Sequence, residues 1–116
     1  MQQLIIHEKL PSWNVIIGKS NWRNYKKIKD EWHKLTFVAV KEYKIKPVKE
    51  YPVSLYFTCN WRTRQPRDID SVYIKGIVDG LVECKILEDD NTNFVKIVIL
   101  EGNIGTGKDE IIIKII

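Results

Sequence analysis

Between Trp22 and about Lys44 the chain contains neither glycine nor proline, a run long enough for about six turns of α-helix. Within it Tyr25, Ile28, Trp32, Leu35 and Ala39 recur at alternating steps of three and four, which places them in one stripe down a single helical face. Lys26, Lys27, Lys29 and Lys34 fall mostly off that stripe, so the helix carries a basic outer surface. Pro47 is expected to end it. A helix of this length with one apolar face must lie on something apolar, and the flanking segments supply strands.

Leu4-Ile5-Ile6 marks a first strand over about residues 2–8. Tyr51 to Cys59 alternates, with Val53, Leu55 and Phe57 on one face and Ser54, Tyr56 and Thr58 on the other. Two more β-branched runs, Phe94–Leu100 and Glu110–Ile116, are joined by Gly102–Lys108, expected to form a hairpin loop. A second helix is expected over residues 70–84, with Ile74, Ile77, Val78 and Leu81 as its buried stripe. Leu10-Pro11-Ser12-Trp13-Asn14, Gly18 and Ser20-Asn21 are turn formers and supply a helix cap. The resulting order, β-α-β-α-β-β, implies an α+β fold in which two helices pack on a mixed sheet. With 116 residues there is material for one core, so residues 1–116 are expected to form one domain.

No stretch approaches the roughly 18 consecutive apolar residues of a membrane helix. The N-terminus lacks the basic start and long apolar run of a signal peptide. A cytoplasmic protein without a membrane partner is expected. Cys59 and Cys84 stand apart from each other and from both histidines, and are expected to be buried reduced thiols. His7 and His33 are isolated and are assigned no chemistry.

The charge is unevenly placed. Residues 1–67 carry a balance of +9 and residues 68–116 one of −5, within a net +4. A basic half beside an acidic half points to a polyanion partner and a separate cation site; a lysine-rich surface that keeps a small protein in solution is the competing explanation. Basic residues Arg62, Arg64 and Arg67 follow the second strand, with Trp61 among them as a candidate exposed aromatic.

The chemistry concentrates in Arg67-Asp68-Ile69-Asp70, followed by Lys75, Asp79 and Asp89-Asp90. Two aspartates one residue apart can face one cavity if the turn between them is extended, and a third from the far end of the helix can close it. Hard oxygen ligands in this number suit Mg²⁺. Such an ion polarises phosphate oxygens and lowers the pKa of bound water, and Lys75 could offset charge in a phosphorane-like transition state. Two structural alternatives compete: Asp70 as a cap for the second helix, and Glu88-Asp89-Asp90 as a solvated turn.

These residues, with Asp79-Gly80-Leu81 between them, resemble the signature of the RusA-type Holliday junction resolvases, Arg-Asp-x-Asp-Asn, Lys, Asp-Ala-Leu, Asp-Asp. Upstream, Pro11-Ser12-Trp13-Asn14 and then Asn24-Tyr25-Lys26-Lys27 are similar to the Pro-Ser-x-Asn entry of phage-type members. Together the matches span about residues 10–100. The resemblance implies a homodimeric, Mg²⁺-dependent (or Mn²⁺-supported) endonuclease that nicks four-way DNA at symmetric positions. It implies Asp68, Asp70 and Asp90 as metal-holding carboxylates, Asp89 as the substitute for Asp90, and Lys75 as the catalytic lysine. Arg62, Arg64 and Arg67 would hold DNA backbone, joined by Lys26 and Lys27.

The chain departs from the pattern in two places. Ser71 stands where the family has Asn, and the Asp70-to-Lys75 interval is one residue longer. An extra residue turns a continuous helix by about 100°, so it must be absorbed before Lys75.

Gly102-Asn103-Ile104-Gly105-Thr106-Gly107-Lys108 follows a phosphate-loop pattern until Asp109 replaces the required Ser or Thr, and a strand rather than a helix is expected next. No nucleotide cofactor is expected. Trp22 and Trp32 are assigned to the core and Trp13 to loop packing; Trp61 is assigned either to stacking on an unpaired base or to a dimer interface. Two other functions remain: a non-catalytic DNA-binding module, and a nuclease for other branched or single-stranded DNA.

Overall fold

The computed structural model describes residues 1–18 and 22–116. The expected cap at Ser20-Asn21 and the side chain of Trp22 lie outside the described residues. Four strands, β1 (Gln2–Ile6), β2 (Val53–Asn60), β3 (Val95–Asn103) and β4 (Glu110–Ile115), form one mixed sheet. Helices α1 (Trp13–Gly18), α2 (Trp22–Glu42) and α3 (Lys75–Glu83) accompany it. The α+β order anticipated from periodicity is the one observed, with the short α1 added where only turns were expected. None of the described helices is long and apolar enough to cross a membrane.

The sheet order is β1-β4-β2-β3, with β2 antiparallel to β4 and parallel to β3. The expected hairpin between the last two strands is therefore absent: β3 and β4 lie on opposite sides of β2. β2 alternates buried and half-buried along its whole length, and a strand with so strong an inward face belongs at the centre. The chain from β3 to β4 crosses its end and is tied to the segment leaving β2. Gly105 N donates to Thr63 O (2.8 Å) and Thr106 N to Trp61 O (3.1 Å). Gly105 and Gly107 take φ values of 69° and 84°, left-handed backbone that glycine adopts without a Cβ penalty. The strand β4 then follows Asp109, as expected.

One face of the sheet builds the core. Val53, Leu55, Phe57 and Cys59 of β2 are buried beside Ile111, Ile113 and Ile115 of β4 and Leu4 and Ile6 of β1. Trp32, Thr36, Ala39 and Val40 of α2 and Ile77 and Leu81 of α3 close it from above. The two helices approach closely because Gly76 and Gly80 face Trp32 and Thr36; a Cβ on Gly80 would stand 2.9 Å from that of Thr36.

Pro47 does not end α2. Lys44, at φ 53°, closes it: Lys44 N donates to Lys41 O and Ile45 N to Val40 O, the paired bonds of a Schellman turn, with buried Ile45 as its apolar contact. α3 ends the same way at Lys85 (φ 63°), with Lys85 N to Val82 O and Ile86 N to Leu81 O. α3 is also shorter than expected. Its first turn is a separate 3₁₀ turn, Ile69–Ser71. Between that turn and α3, Val72 is drawn out of helical conformation to bridge Ser12, and Tyr73 N donates to Pro11 O at 2.9 Å.

Candidate functional site

The two segments that carry the family resemblance, far apart in sequence, meet at one end of the sheet. The Ser12–Val72 bridge and the Tyr73–Pro11 hydrogen bond hold them together. An aromatic cluster fixes the junction from behind: Trp13 packs edge-on against Tyr73 at 4.7 Å and stacks on Tyr25 at 6.3 Å. Burial raises the Tyr73 hydroxyl pKa, so it stays neutral.

In front of the junction lies a hollow of about 310 Å³, lined among others by Lys9, Ser12, Asn14, Arg67 and Asp68. Arg67 lies over the Trp61 ring, 5.8 Å from its centroid, and its Nε is buried without a hydrogen-bond acceptor. Among the described residues it makes no ion pair. A guanidinium so held is a ready donor for an oxyanion. Trp61 itself is buried, packed where a side chain on Gly102 would sit, so it is not the exposed aromatic expected from its arginine neighbours.

Around the hollow the basic residues collect. Arg62 and Arg64 are exposed on the loop leaving β2; Arg62 N donates to Asp109 Oδ1 at 2.9 Å, and the Arg64 side chain lies along Gly105. Lys26 and Lys27 are exposed on the first turns of α2, beside Tyr25 and hence at the same end. Asn14 of the upstream motif lines the hollow as well, and so does Lys9, which was not singled out from sequence. Lys9 directly precedes the Leu10-Pro11 turn, and that adjacency was the available signal.

The carboxylates are not gathered in the same way. Ile69 packs against Gly102, so the Asp68–Asp70 turn sits over the carboxyl ends of the parallel pair β2 and β3. Both aspartates are exposed. Asp68 makes no side-chain capping bond, and the residue before α3 is Ile74, so Asp70 does not cap that helix. Lys75 opens α3, exposed, and pairs with Asp79 Oδ1 at 3.4 Å. Residues 72–74 before it lie in neither helix, so the extra residue is taken up there rather than by rotating a helix.

Asp89 and Asp90 stand at the opposite, amino end of β3. At about 3.3 Å per residue, Val95 and Gly102 are roughly 23 Å apart along that strand. The expectation that α3 would return the third carboxylate to Asp68 and Asp70 within one chain is therefore corrected: its nine residues carry the chain away from them. Among the described residues no three His, Cys, Asp or Glu side chains are grouped to hold a metal ion. The oxygen donors suit Mg²⁺ in kind, but their placement within one chain does not form a site for it. At the far turn, Asp89 Oδ1 accepts Asp90 N (2.7 Å) and its Oδ2 accepts Asn91 Nδ2 (3.3 Å). Asp89 thus holds the turn, while the exposed Asp90 carboxylate is left available.

The thiols are both free; Cys59 is buried and Cys84 half-buried. Burial pushes the Cys59 pKa up to about 12, which disfavours its thiolate. His33 Nδ1 contacts Glu83 Oε2 at 2.5 Å and links α2 to α3. No protein-family model matches this chain, and no curated protein sequence matches it.

Proposed function

We propose that this chain is a cytoplasmic, Mg²⁺-dependent endonuclease for branched DNA, with Asp68, Asp70 and Asp90 as its essential carboxylates. The observation that carries this reading is the meeting of the Pro11–Asn14 and Arg67–Asp68 segments around one basic hollow. Those are the two stretches that resemble the RusA-type resolvases, and their union leaves an unpaired guanidinium beside an exposed aspartate. Arg67, Lys9 and Asn14 would grip the phosphodiester backbone, with Arg62, Arg64, Lys26 and Lys27 extending the contact.

A non-catalytic DNA-binding module is the second reading, favoured by the separation of Asp90 from Asp68 and Asp70 within the chain. The two are distinguished by incubating the protein with labelled four-way and linear DNA, in Mg²⁺ and then in EDTA. Metal-dependent nicking of the junction, lost in Asp70→Asn while binding persists, supports the endonuclease. Binding without cleavage in either Mg²⁺ or Mn²⁺ selects the module. Equal nicking of flaps or single strands would change the substrate, not the chemistry.

A further inference from the structure

The glycine-rich loop between β3 and β4 follows a phosphate-loop pattern in sequence yet serves no nucleotide. It is tied along its length to the segment leaving β2. Trp61 N donates to Asn103 O (2.8 Å), Gly105 N to Thr63 O (2.8 Å) and Gly107 N to Arg62 O (3.4 Å). The Thr106 hydroxyl donates to Lys108 O at 2.8 Å, closing the turn on itself. Ile104 stands between two of the tied residues, Asn103 and Gly105, and hence level with Arg62. It is 45% exposed.

A single exposed apolar residue is ordinary on a protein surface. Three observations set this one apart. The backbone on both sides of it is fixed by the bonds just named. Its neighbours Arg62 and Arg64 are exposed cations that make no ion pair among the described residues. The Arg64 stem lies so close over Gly105 that a Cβ there would stand 2.9 Å from Cγ. Finally, the loop leaves the sheet at the end that carries the Asp68–Asp70 turn. Ile69 of that turn packs on Gly102, two residues and roughly 7 Å along the chain before Ile104.

We propose that Ile104 is a wedge that enters the base stack of DNA at a branch point, while Arg62 and Arg64 hold the flanking phosphates. The wedge rests on the DNA-binding reading, which the nuclease and the non-catalytic module share, and not on cleavage.

The chemistry selects this partner. Nucleic acid carries its charge outside and its apolar faces within the stack, and an apolar side chain beside two free guanidinium groups is the complement of that arrangement. An acidic protein surface could pair with the same arginines but has no stack to enter. Isoleucine reads no base edge, because it has no hydrogen-bonding group; it can only fill space between bases, as apolar wedges do. In a linear duplex that insertion breaks continuous stacking. At a branch the stack is already interrupted, so the same insertion costs less. The protein would thereby prefer branched to linear DNA without a base-specific contact. A loop held before the DNA arrives loses little freedom on binding. Trp61, the aromatic neighbour of these arginines, is buried and cannot take this role.

The test places 2-aminopurine at the branch of a four-way junction, and within a linear duplex, and titrates each with protein in EDTA so that no strand is cut. Wild type should raise the fluorescence of the junction far more than that of the duplex. Ile104→Ser, with an unchanged circular dichroism spectrum, should lose most of that rise. Its junction-to-duplex affinity ratio should fall about five- to tenfold, as expected when a half-exposed isoleucine no longer buries itself. Ile104→Leu should keep the rise. Arg64→Ala should weaken binding to both DNAs and flatten its salt dependence.

Junction binding by wild type without a rise, a full rise in Ile104→Ser, or an unchanged affinity ratio in that variant overturns the wedge and leaves the DNA-binding reading standing. Wild type that binds neither DNA overturns that reading and the wedge with it.

Discussion

Ser12 and Val72 face each other in an isolated antiparallel bridge, and that contact joins the start of α1 to the approach of α3. Just behind it the Tyr73 ring is fully buried against Trp13 and within 2.7 Å of the Cβ position at Gly76. Tyr73→Ala should cost about 3–5 kcal/mol, the range for removing a large buried aromatic, read as a lower urea midpoint. DNA affinity should fall more than in a core variant of equal cost such as Leu81→Ala, because the hollow loses its back wall.

Gly80 lies on α3 where alanine would ordinarily stabilise a helix by about 1 kcal/mol. Here the added Cβ meets buried Thr36, whose Oγ1 is held by Trp32 O at 2.7 Å. Gly80→Ala should instead destabilise by about 1–3 kcal/mol, and Thr36→Ser should relieve part of that in a double-mutant cycle.

Both long helices end on a lysine in left-handed backbone, a conformation that costs a residue with a Cβ roughly 1–2 kcal/mol. Lys85→Gly should raise stability by about 0.5–1 kcal/mol after glycine's greater unfolded entropy is counted, seen as a higher Tm with DNA binding unchanged.

On the open sheet face Tyr56 Oη donates to Glu101 Oε1 at 2.5 Å, and Asn103 donates to Oε2. These bonds, Tyr56 first, hold the Glu101 pKa below its ordinary 4.5. A lowered folded value means the contribution is complete above the unfolded pKa and lost as pH falls through the folded one. Tyr56→Phe should therefore raise the Glu101 pKa, followed by NMR, and flatten the loss of stability that sets in as pH falls below the unfolded value of 4.5. Tyr56 is itself raised above 10, mainly by the same bond, so its contribution holds below pH 10 and fades as pH climbs through the folded value.

Much of the candidate site could be read before any coordinates. Arg67, Asp68 and the Pro11–Asn14 turn were identified by motif, and the hollow unites them. Lys9 was missed because a lone lysine carries no periodicity, and its one signal, adjacency to the Leu10-Pro11 turn, is not a motif. Trp61 was misread because its arginine neighbours suggested an exposed loop, whereas Gly102 leaves a space that the ring fills. Asp90 was placed correctly in order and wrongly in space: motif spacing fixes the distance along the chain and says nothing of the direction in which α3 carries it.

Local chemistry was enough to establish the elements and their buried faces, since the stripe on α2 and the alternation of β2 are properties of a few neighbouring side chains. It could not establish that β4 inserts between β1 and β2, that lysines rather than Pro47 close the helices, or that the carboxylates stand at opposite ends of β3. Periodicity says which face of an element leaves water but not which other element covers it. That choice belongs to pairing between segments distant in sequence, where the centrality of β2 and the packing of α2 on α3 outweigh the short connections that local reading prefers.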